Sequence, residues 1–218
     1  MKRVWNRIKN SKILAGLRYA RYVIFHPFDG FWDLTHANEG SLGAANVIIF
    51  LTLAVRLVRL RFTGFMFLDI YWPEVSVWTE TLTILVPLLL FCISNWAITT
   101  LFDGKGTFKH IYMGVGYALT PYPIIQLIMV ILSNLVTSDE GVFYSVLNGL
   151  SLGWCAFLII IALMMIHVYS LGRTILSTLA SILGMLIIML ICLGFFSMLS
   201  EAISFVGSLI REIQIRVY

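Results

Sequence analysis

Charge is scarce in this chain. Asp, Glu, Lys and Arg make up only 12% of its 218 residues, about half the share found in soluble domains. That excludes an ordinary water-facing surface. With 60% hydrophobic residues and a mean hydropathy of +0.93, a globule of this size has nowhere to place its apolar excess. Cysteine is rare as well. Cys92, Cys155 and Cys192 sit in three separate apolar runs, without the paired spacing of a disulfide framework or thiolate metal site, and read as small buried hydrophobes.

Catalytic patterns are thin too. His26, His36, His110 and His167 have no partner at i+4 and no carboxylate at ligand spacing, so no metal site is expected. His26 with Asp29 and Asp33 misses the His-x-x-x-x-Asp spacing of membrane acyltransferases. The Asp-Gly with distal aspartates of lipid-headgroup transferases is also lacking, and no serine lies in a G-x-S-x-G elbow. The "DGKGT" stretch, Asp103–Thr107, invites comparison with a phosphate loop. That loop needs G-x-x-x-x-G-K-[ST] after a strand, and here Lys105 precedes Gly106 with no strand before it. A tight Asp-Gly turn whose lysines meet headgroups is the better reading. No catalytic residue, cofactor or nucleic-acid partner is expected.

What is abundant is long apolar runs. Four spans, about Leu82–Phe102, Ile111–Val136, Tyr144–Val168 and Ile175–Leu199, each carry roughly the 20 apolar residues that cross about 30 Å of hydrocarbon. A fifth, about Ala44–Leu60, is shorter and contains Arg56 and Arg59 in its last third, where long side chains can snorkel. Tilted and re-entrant placements both fit it. The expected fold is an all-α integral membrane bundle of about five transmembrane helices. Its expected organisation is a basic amphipathic segment over 1–40, a membrane domain over 41–200 and an amphipathic tail over 201–218.

Lysine and arginine orient such a bundle. Lys2, Arg3, Arg7, Lys9, Lys12, Arg18 and Arg21 precede the first span, and Lys105, Lys109 and Arg173 fall on the same side. This predicts a cytoplasmic N-terminus and an outward C-terminus, although Arg56, Arg59 and Arg61 crowd the opposite end. The N-terminal segment has no uninterrupted apolar core or small-residue cleavage site and reads as retained, not as a secretory signal. Val4, Trp5, Ile8, Leu14 and Leu17 among its cations suit a helix on an anionic leaflet, or an ordinary positive flank. At the other end Ile203, Val206, Ile210, Ile213 and Val217 recur every 3 or 4 residues, which suits the outer surface or a partner helix. The aromatic stretch over 61–80 suits an interfacial belt.

Small residues mark close helix contacts: Ser177, Ala180, Ser181 and Gly184 on one face of the last span, Gly149 and Gly153 in the fourth. Packing within the monomer accounts for them, and a homodimer seam is the sharper alternative. Asn95 and Gln126 lie at membrane depth and need partners. Pro121 and Pro123 remove two backbone donors and free carbonyls near Tyr117 and Leu119, while Gly114 and Gly116 let another helix or a ligand approach. Such breaks line substrate sites in transporters and also occur as plain kinks, which is the default here.

Three stretches carry a family resemblance. "HPFDGFWDL" precedes the first span and holds Pro27, Asp29, Gly30, Phe31 and Trp32, where eukaryotic members have a D-L-Y-G-P-F-W type motif in another order. "NWAITTLFDGKGTFKHI" contains Asn95, Trp96, Asp103 and Gly104. "GYALTPYP" contains Gly116, Tyr117 and Pro121. Over about residues 20–200 the chain resembles the Yip (Ypt-interacting protein) family, and its last two motifs are most similar to bacterial members. The resemblance implies five helices, an inside N-terminus, an outside C-terminus and a bacterial plasma membrane. Eukaryotic members are linked to small prenylated GTPases through a long disordered N-terminal region, and this chain is expected to lack that region. The expected function is that of a non-enzymatic membrane scaffold or accessory protein with lateral contacts to lipid, a membrane-protein partner or a second copy. The alternative is a small transporter or lipid-path component using the polar kinked region. Arg56 and Arg59 are candidate lipid or partner contacts.

Overall fold

The structure is a computed structural model that describes residues 12–37, 39–64, 76–135 and 141–217. Its helices are α1 (Lys12–Phe25), α2 (Pro27–His36), α3 (Leu42–Phe62), α4 (Val77–Leu101), α5 (Phe108–Ala118), α6 (Pro121–Ser133), α7 (Gly141–His167) and α8 (Leu171–Val217). No strand occurs among the described residues. Five segments are long and apolar enough to cross a membrane: α3, α4, α5 with α6, α7, and the part of α8 up to Ser208. The chain is an all-α membrane bundle. The short, arginine-bearing first span is a full helix of 21 residues.

Local chemistry sets the boundaries. The side chains of Ser41 and Thr107 accept hydrogen bonds from the backbone N–H of Ala44 and His110, satisfying orphan donors where α3 and α5 begin. Pro27 occupies the first turn of α2, where a missing N–H costs nothing. The prolines of "TPYP" split the third span into α5 and α6, and the freed acceptors are met locally. The carbonyl of Tyr117 accepts the Thr120 hydroxyl at 2.5 Å and the Thr120 N–H at 3.1 Å. That of Leu119 accepts the Tyr122 N–H at 3.1 Å.

Ala45 lies against Gly116 and the Gly64 N–H donates to Ser133 Oγ, so α3 and α5–α6 run parallel. The ends of α4 and α7 therefore share a face with the starts of α3, α5 and α8. On this first face α1 packs on α3, and α2 packs on α7. Phe31 and Leu34 of α2 and Ala20 and Val23 of α1 enter the common core. Lipid tails are as apolar as leucine, so the spans associate through close packing and hydrogen bonds, not through water exclusion.

The two stretches of small residues behave differently. Ser177, Ser181 and Gly184 face α4, where a Cβ at Gly184 would come within 2.5 Å of Ser94 Oγ. Gly149 and Gly153 are exposed on α7, with nothing within 4 Å of an added Cβ, so packing within the monomer does not account for them. Cys92 and Cys155 are buried as expected, and Cys192 is exposed on α8. That helix continues without a break past residue 200 to Val217, and every described side chain from Met189 to Ser208 is exposed.

Candidate functional site

Asn95 and Gly106 of "NWAITTLFDGKGTFKHI" take part in an oriented chain of hydrogen bonds at the first face. The Gly106 N–H donates to His167 Nδ1 at 3.3 Å. A backbone N–H can only donate, so Nδ1 is the acceptor and Nε2 carries the hydrogen. His167 Nε2–H donates to Asn95 Oδ1 at 3.2 Å. Asn95 Nδ2 donates to Ser181 Oγ at 3.0 Å, and that hydroxyl donates to the Ser177 carbonyl at 2.7 Å. Asn95, His167 and Ser181 are buried. One loop and three helices are thereby joined through groups that each find a partner, as buried amides require.

The "DGKG" turn is shaped to reach that imidazole. Asp103 adopts a left-handed φ of 56° and the Gly104 N–H returns to the Thr99 carbonyl at 2.8 Å, which closes α4 as a Schellman end. A Cβ on Gly104 would lie 2.7 Å from His167 Nδ1 and 2.9 Å from the Thr99 carbonyl oxygen, and one on Gly106 would lie 2.5 Å from Ile166 Cγ2. The same device ends α7. Val168 has a φ of 57°, and the Tyr169 N–H returns to the Met164 carbonyl. A β-branched residue in that region is strained. Holding the strained turn in place, Tyr169 stacks on His167 and donates its hydroxyl to the Phe102 carbonyl at 2.8 Å. Arg173 donates to the same carbonyl at 2.6 Å, setting a cation at the negative end of α4. Burial raises the Tyr169 phenol, with Arg173 acting in the opposite direction. The motif glycines thus close a turn over a histidine, and no phosphate cradle forms.

Gln126 belongs to a second cluster. It donates to Asn148 Oδ1 at 2.9 Å and to Ser151 Oγ at 3.1 Å, and its own Oε1 is buried without a partner. Arg59 donates to the same Asn148 oxygen at 3.4 Å and lies over the Tyr144 ring. Arg56 pairs with Glu80 at 2.9 Å. Asn148 and His167 are more than five turns apart on α7, roughly 28 Å. Asn95 and Gln126 therefore do not share a pocket.

The remaining motif residues divide between packing and exposure. Gly30 and Phe31 are buried, with Gly30 close to the Val23 backbone, while Asp29 and Trp32 face outward and Trp32 stacks on His36. Tyr19 donates to the Gly30 carbonyl at 2.9 Å, and burial holds its phenol above the ordinary range, so it stays a donor. Trp96 is exposed, edge-on to Phe108. Pro121 starts α6, and buried Tyr117 accepts the Ser41 N–H at 3.2 Å. Spacing did not single out His167, whose partner is 72 residues away, nor Tyr169, Asn148 and Ser151. Val4, Trp5 and Ile8, most of the 61–80 belt, and the side chains of Ile210, Ile213 and Val217 lie outside the described residues.

Five membrane-length helices with an amphipathic pair on one face define a polytopic α-helical membrane protein. The family model for the Yip1 domain matches residues 21–204, and the chain belongs to that family. Comparison with curated proteins and with solved structures finds no match.

Proposed function

We propose that this chain is a non-enzymatic membrane scaffold of the Yip type that works through lateral contacts in the bilayer. The supporting observation is an imbalance among its glycines. Gly16, Gly114, Gly116 and Gly184 sit tightly against neighbouring elements of the chain, whereas Gly149, Gly153 and Gly194 meet nothing. Small residues on lipid-facing helices favour close approach by another helix, and the exposed length of α8 adds surface for it. Crosslinking in native membranes, followed by mild detergent extraction, is expected to capture a membrane-protein partner or a second copy. Gly149→Leu with Gly153→Leu is expected to abolish capture and leave the monomer's unfolding midpoint unchanged. An uncrosslinked monomer in the unaltered protein would overturn the reading.

The proposed setting is a bacterial plasma membrane with the first face toward the cytoplasm. Lys105, Lys109 and Arg173 support this by the positive-inside tendency, and the opposing weight of Arg56 is reduced by its pairing with Glu80. A second reading, a lipid-path protein, is favoured by an apolar groove of about 470 Å³ between Pro87 and Phe91 of α4, Ile160 of α7 and Ile182 of α8. Lipid flux in liposomes that does not change with the protein present would remove it.

A further inference from the structure

A cleft of about 810 Å³ runs along α1, away from both polar clusters. Leu14, Arg18, Arg21 and Phe25 form one stripe of its lining, spaced four, three and four residues apart. Tyr19, Tyr22 and His26 form the next, and Glu39 supplies the single carboxylate. Arg18 and Arg21 are exposed, and neither belongs to the Arg56–Glu80 ion pair. Residues three apart on a helix are neighbours, so two guanidinium forks open on one cleft against a single carboxylate, a geometry that grips phosphate oxygens bidentately. Tyr22 and His26 stack at 4.9 Å and form a flat polar wall beside them.

The ends of this cleft differ from its middle. Leu14 and Phe25, apolar and exposed, flank the cations, and Tyr22 adds exposed aromatic surface to the same lining. Exposed aromatics next to arginines are the composition of a membrane interface, and a cationic centre with apolar ends complements an amphiphile better than a bare ion. The volume falls within the range of small-molecule sites. We propose that this cleft binds the headgroup of an anionic phospholipid, with Arg18 and Arg21 on the phosphate and Leu14 and Phe25 against the first carbons of its acyl chains. The proposal rests on the lipid-contact part of the scaffold reading and is independent of the exposed α7 and α8 surfaces.

The test is native mass spectrometry of the full chain in mild detergent, titrated with phosphatidylglycerol or phosphatidylcholine. The expected result is preferential retention of phosphatidylglycerol, falling roughly fivefold for each of Arg18→Gln and Arg21→Gln. Arg61→Gln, an exposed cation off the site, is expected to leave retention unchanged. Equal retention of both lipids, or equal loss in Arg61→Gln and the cleft variants, overturns the site. Displacement of the lipid by inorganic phosphate at millimolar concentration overturns the headgroup assignment in favour of a free anion. Should one of the two cleft variants fold poorly, the other decides the matter. Retained crosslinking in an unaltered protein that shows no lipid preference means that this site fails while the scaffold reading stands.

Discussion

At the scale of single residues, the glycines of "DGKG" were legible as turn formers, and their partner was not. An Asp-Gly pair predicts a tight reversal from local conformational preference alone, whereas the imidazole it closes over arrives from another helix. Nothing in the spacing around His167 marks it, because its partners are a backbone N–H and an amide on other elements. The consequence is a sharp contrast between glycines. Gly104→Ala and Gly106→Ala place a methyl group against His167 and are expected to cost about 1–3 kcal/mol, the usual range for overpacking. Gly149→Ala meets open space and is expected to be neutral or slightly stabilising, since alanine is the better helix former. Unfolding midpoints in detergent check both.

At the scale of elements, the spans were legible because bilayer thickness dictates apolar length, and their ends were less so. The fourth helix begins at Val77, five residues before the apolar run expected from Leu82. Its first turn is held by Glu80, which faces Arg56 across from α3. Hydropathy does not register a helical turn kept by an ion pair. Arg56 and Glu80 are expected to couple by about 1 kcal/mol in a double-mutant cycle with Arg56→Gln and Glu80→Gln, as befits a partly exposed pair. Additive costs in that cycle would mean that the pair does not hold the turn. The break at "TPYP" was legible from its prolines, as was the need to satisfy the Tyr117 carbonyl. That Thr120, the residue just before the first proline, meets it from within the turn required the backbone path.

For the whole molecule, the decisive disproportion is α8. Its 47 residues extend roughly 70 Å, against about 30 Å of hydrocarbon. The other spans, at 21–27 residues, suit one ordinary thickness. The apolar part of α8 alone exceeds what a tilt of up to about 40° absorbs. The four matched spans anchor the depth of the bundle, so the overhang of α8 becomes a measure of hydrophobic mismatch. A thin bilayer leaves more of its Leu- and Phe-rich surface uncovered, and a thick one leaves less. Self-association followed by energy transfer in liposomes is therefore expected to strengthen as acyl chains shorten and weaken as they lengthen. Truncation after Leu199 is expected to flatten that dependence. The chain would then act as a gauge of membrane thickness, grouping with partners where the bilayer is thin and dispersing where it is not.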